Sequence, residues 1–140
     1  IALNPSRGST LHSLGSRLNN LGDERGIVLI RKAMKLDPLH PTSLNILIGD
    51  YHFEKGEYQE ALAAARKADV PGHYYRPALL AATYAELGRQ DEARSAMEGL
   101  LKLRPRLNAE QWTEQLRKWN YREERIRHMT AALRKAGLPE

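Results

Sequence analysis

The feature that most constrains this chain is a recurrence of turn and small residues. In IGDYHFEKGEYQEALAAARKA, residues 48–68, a glycine lies inside a helical pattern (Gly49), a second lies between two apolar segments (Gly56), and alanines follow from Ala61. Glycine within a helix costs roughly 0.5–1 kcal/mol relative to alanine. Close approach of a neighbouring helix offsets that cost. Gly56 stands where a helix C-cap is expected, so the stretch reads as two short antiparallel helices pressed together at small residues. A hairpin of this kind leaves one apolar face open and should recur.

It recurs twice. Gly15 and Gly22 upstream, and Ala81 and Gly88 downstream, repeat the spacing of Gly49 and Gly56. Gly26, Ala61 and Ala93 then supply the small residue of each second helix. Pro5, Pro38, Pro71 and Pro105, spaced 33, 33 and 34 apart, mark the unit ends. A helix–turn–helix unit of this period resembles the tetratricopeptide repeat over about residues 6–105. The units fall at about 6–38, 39–72 and 73–105. The tryptophan common early in the first helix of that family is replaced by Leu11, Asn45 and Pro77. Repeat one is a residue short around DERG, and the stretch from Ala68 to Pro71 is shortened by about two, which points to a tightened junction at ADVPGHYY. Residues 1–5, IALNP, match the endings MKLDP and LKLRP and read as the end of a truncated preceding repeat.

After the repeats, Asn108 can cap a helix through AEQWTEQLRKW, with Gln111 completing the box. Ile126, Met129 and Leu133 recur at helical spacing in a last helix that stops at Gly137. Residues 106–140 therefore read as two capping helices, because a repeat array must close its last stacking face. The fold class expected is all-α: an α-solenoid of three helical hairpins with two C-terminal capping helices. Residues 75–140 also resemble the C-terminal repeat region of bacterial proteins that carry an adenylate or guanylate cyclase domain, and related tails follow winged-helix regulators. None of a cyclase's metal-binding carboxylates or base-reading residues can be located in the chain.

The chemistry open to the chain is narrow. It has no Cys, so disulfides, thiolate nucleophiles and cysteine metal sites are excluded. His12, His40, His52, His73 and His128 are scattered, without the convergence that a metal site needs. No serine elbow or phosphate-cradling loop occurs. The expectation is a non-catalytic module without cofactor or metal. No apolar run is long enough for a membrane helix and no secretory signal is present, so the reading is cytoplasmic with no membrane partner.

The tetratricopeptide resemblance implies that the first helix of each unit faces a concave groove that binds protein. Carried onto this chain, the groove pattern selects His12, Ser16, Asn19 and Asn20, then Ile46, Asp50, Phe53 and Glu54, then Tyr75, Ala78, Ala82 and Glu86. Its small residues and acids do not suit a carboxylate clamp. With Phe53 and Ile46 exposed on its floor, the groove suits a helical or extended segment of a protein partner, unless the protein's own repeats or tail fill it. Of the aromatic group His73, Tyr74, Tyr75 and Tyr84, Tyr84 is expected in its hairpin core, Tyr74 at the shortened junction and Tyr75 as a surface contact. Leu11, Leu14 and Leu18 form an N-terminal face open to self-association.

Charge supplies the alternative. The net charge is +5, and all of it lies after residue 100. Arg117, Lys118, Arg122, Arg125, Arg127, Arg134 and Lys135 could contact the phosphates of a nucleic acid. Glu123 and Glu124 interrupt the run, however, and few aromatics are free to stack on bases. A solvated capping face is the reading preferred here, with a signalling or scaffolding role in protein binding.

Overall fold

The computed structural model describes the backbone of residues 5–20 and 22–140, and side chains from residue 13 onward except at position 21. Among the described residues every regular element is a helix: α1 (Pro5–Asn20), α2 (Arg25–Leu36), α3 (Leu44–Glu54), α4 (Tyr58–Lys67), α5 (Tyr75–Glu86), α6 (Gln90–Leu103), α7 (Ala109–Lys118) and α8 (Glu123–Lys135). The first six form three antiparallel hairpins that stack into an α-solenoid.

Identical turns close the three hairpins. Gly22, Gly56 and Gly88 have φ of 77°, 77° and 76°, a left-handed conformation that costs glycine nothing. At each, the glycine N–H bonds back three residues and the next N–H bonds back five, as Glu57 does to the His52 carbonyl at 2.9 Å. This double bond satisfies carbonyls that the helix end would otherwise leave open.

Small residues set the helix crossings. A Cβ on Gly49 would stand 2.9 Å from Leu79 Cδ2 and 3.2 Å from the Ala61 carbonyl oxygen. A Cβ on Gly26 would stand 2.7 Å from the Gly15 carbonyl oxygen. In the third hairpin Ala81 and Ala93 are fully buried. The core runs from Phe53 and Ala61 through Leu79, Ala82, Met97 and Leu100 to Trp112, Leu116, Ile126, Met129 and Leu133.

The two helices expected after the repeats are present as α7 and α8. Asn108 does cap α7, its side chain accepting from the Gln111 N–H at 2.8 Å, and α8 stops at Gly137 with φ 107°. Helix α7 ends in the same turn as the hairpins. Asn120 has φ 64°, and its N–H and that of Tyr121 bond to the Arg117 and Leu116 carbonyls at 3.0 and 3.1 Å. Asn120 follows Gly88 by the same interval that separates Gly88 from Gly56, and Pro139 continues the proline series. The turn between α7 and α8 thus falls in the same sequence register as the three hairpin turns. Arg125 occupies the position of Ala61 and Ala93 in that register. A guanidinium there cannot enter a close crossing, and α8 packs more extensively on α5 than on α7.

Candidate functional site: the concave face

Helices α1, α3 and α5 line one face, and α8 lies across it from the end of α1 to the end of α5. At its start, the Arg122 N–H donates to the Asn20 carbonyl at 3.2 Å, while Asn20 Nδ2 donates to the Trp119 carbonyl at 2.9 Å. The Arg122 guanidinium pairs with Glu54. One turn on, Arg125 is 3% exposed, pairs with Asp50, lies 3.5 Å from Glu54, and donates to the Asn19 carbonyl at 2.7 Å. The His128 ring then stacks on Phe53 with centroids 4.5 Å apart, and its Nε2 lies 2.9 Å from the Tyr58 hydroxyl. At the far end Lys135 Nζ reaches Glu86 at 2.9 Å.

Asp50 organises the centre. It is fully buried, and besides Arg125 it accepts from the Tyr75 hydroxyl at 2.6 Å and the Tyr121 hydroxyl at 2.8 Å. A buried carboxylate is tolerated only when its oxygens are this well partnered. Burial first, and the Asp50 charge next, push both phenols well above their ordinary range, so both remain protonated donors. Burial opposes the charge on Arg125, but the Asp50 carboxylate favours it and its pKa is raised. The Tyr121 ring lies beneath the guanidinium at 4.5 Å, and Tyr75 stacks between Tyr121 and Trp112, at 6.4 and 5.6 Å.

Several expectations change here. Phe53 is 1% exposed and Ile46 7%: they are not open anchors, because α8 and its preceding turn cover that floor. Tyr75 is buried rather than a surface contact, because Asp50 draws its hydroxyl inward. The basic tail is a solvated face, as expected, except at the buried Arg125. Arg117, Arg122, Arg125, Arg134 and Lys135 are all ion-paired, to Glu123, Glu54, Asp50, Glu140 and Glu86. Ala78 and Ala82 are fully buried, leaving room for α8 against α5. The side chains of His12 and Leu11 lie outside the described residues. Leu14 is exposed and Leu18 half-buried.

Part of the groove stays open. A cavity of about 240 Å³ remains between Ser16, Ser43, Ile46, Leu47, Trp119 and Tyr121. The contacts not anticipated from the sequence are those of Trp112, Trp119 and Tyr121, from α7 and the turn after it, and of Arg122, Arg125 and His128, from α8 and its N-cap. The one available signal was Arg125, a charged residue at a position that is small in all three hairpins.

A tetratricopeptide-repeat family model matches residues 78–107, which span most of α5, all of α6 and the turn after it. Residues 78–107 form a tetratricopeptide repeat. Repeats of this kind generally mediate protein–protein interaction, and the α-solenoid agrees with that architecture. No curated protein matches the chain. No helix among the described residues is long and apolar enough to cross a membrane.

Proposed function

We propose that the chain is a non-catalytic protein-interaction module whose concave face takes a helical segment, and that it serves a scaffolding or regulatory role in a larger bacterial, cytoplasmic protein of the cyclase or winged-helix-regulator kind. The observation that carries this reading is α8 itself. A helix already lies on the face, held by the groove residues Asn19, Asp50, Phe53, Glu54 and Glu86 and, at its N-cap, by the Asn20 carbonyl. Nothing comparable supports nucleic-acid binding, since Arg117, Arg122, Arg125, Arg134 and Lys135 are each paired with a carboxylate of the same chain.

A photo-cross-linking amino acid at Ser16 or Ser43, on the rim of the open cavity, tests the reading in the source cell. The same label at Arg31 or Glu98, exposed on α2 and α6, serves as the comparison. Protein adducts from the cavity positions and not from the others are expected. Adducts confined to α2 and α6, or to nucleic acid, overturn it.

A further inference from the structure

We infer that α8 is a displaceable occupant of the concave face, an autoinhibitory latch, and that the partner it excludes is an amphipathic helix carrying α8's own pattern: an arginine for Asp50, then apolar residues one, four and eight positions later. The inference rests on the interaction reading above.

The pattern is set by what the face offers. Arg125 meets Asp50 and Glu54, while Ile126, Met129 and Leu133 are buried in the core beside it. Arg122 and Lys135 add exposed ion pairs to Glu54 and Glu86 at the two ends. Charge complementarity thus runs the length of the groove, acids on the face and bases on the helix, and sets the direction in which a helix must lie.

The inner face of α8 mixes polar groups with its buried apolar residues. Arg125, His128 and Thr130 all point into the protein, and the buried Thr130 Oγ1 has no hydrogen-bond partner. Buried ion pairs are commonly no more stabilising than apolar residues of the same size, whereas they discriminate strongly between matched and mismatched partners. The connection allows departure. Helix α8 follows a short turn at Asn120–Arg122 and is only loosely paired with α7. A tethered helix at such short range competes at an effective concentration in the millimolar range, so a free helix sees a weakened site until the latch is loosened.

The probe is a fluorescein-labelled peptide of residues 121–140, titrated into the full chain by anisotropy. Arg125→Ala in the chain loosens the latch and is expected to tighten peptide binding at least tenfold. The double variant Arg122→Ala/Lys135→Ala, at exposed positions, gives a smaller gain and covers the case in which Arg125→Ala fails to fold. A peptide with its own Arg125→Ala should bind at least tenfold more weakly to either variant. Equal affinity for wild-type and folded variant chains overturns the latch. A mass that doubles in sedimentation without peptide also overturns it, in favour of α8 exchanging between two copies of this chain.

A locked chain separates the two readings. The double variant Glu86→Cys/Lys135→Cys, joined by a bismaleimide, should hold α8 down and abolish cross-links from Ser43. If the locked chain cross-links as well as the free one, the latch fails and the groove reading stands. If neither cross-links to protein, the groove reading itself fails.

Discussion

Asp50 and Arg125 hold opposite charges in a place from which water is excluded, and each is tolerable only because of the other. Asp50→Asn would leave the buried guanidinium with Glu54, 3.5 Å away, as its remaining carboxylate. Removing one partner of a buried pair costs about 3–5 kcal/mol, and a loss of that size is expected in urea denaturation. Replacing both, as Asp50→Leu with Arg125→Met, should recover only part of it: the pair's desolvation cost goes with its attraction, but the Tyr75 and Tyr121 hydroxyls lose their shared acceptor. A double variant as unstable as Asp50→Asn would show that the pair itself stabilises the fold. The glycines offer a cleaner contrast. Gly26→Ala places a methyl against the α1 backbone and is expected to cost about 1–3 kcal/mol. Gly99→Ala in α6 meets nothing within 4 Å and should gain about 0.5–1 kcal/mol. Thermal melts of the two variants should move in opposite directions.

Helix α8 carries its own pH dependence through His128. Burial against Phe53 lowers its pKa below the ordinary 6.5, Glu86 opposes the shift and Lys135 adds to it. The docked helix therefore prefers neutral imidazole. Stability from docking is complete above about pH 6.5 and falls away as the pH drops through that value toward the lower docked pKa. Stability measured at pH 7.5 and 5.5 should fall more for wild type than for His128→Gln. Equal falls would place the sensitivity elsewhere. The same helix shows what the sequence could and could not convey. Hairpin turns and crossings impose local demands, a positive φ at Gly56 or room at Gly49, and these leave a periodic mark. The docking of α8 depends on pairings between distant segments, Arg125 with Asp50 and His128 with Phe53. A basic residue on a helix carries no local sign of whether it faces water or a buried acid. Arg125, out of place in the period, was the only trace.

Across the whole molecule, α8 changes how the array holds together. Stacked hairpins touch only their neighbours, so such arrays ordinarily fray from the ends inward. Here the C-terminal pair reaches back to the first hairpin. Arg125 donates to the Asn19 carbonyl, Asn20 donates to the Trp119 carbonyl, and the Arg122 N–H closes on the Asn20 carbonyl. These bonds join residues about a hundred positions apart, and together with the ties to α3 and α5 they brace all three hairpins against one helix. Amide exchange should therefore be cooperative, with α1 and α2 protected nearly as well as α5. Loosening α8 by Arg122→Ala/Lys135→Ala should release the first hairpin preferentially. Its amides lose the distant brace, while α5 and α6 retain their own packing and that of α7. A loss of about 1.4–2.8 kcal/mol corresponds to a ten- to hundredfold faster exchange through local opening. Hydrogen–deuterium exchange by mass spectrometry reads this directly. Exchange that quickens in α8 alone, with α1 and α2 unchanged, would show that the hairpins hold one another without the helix that crosses them.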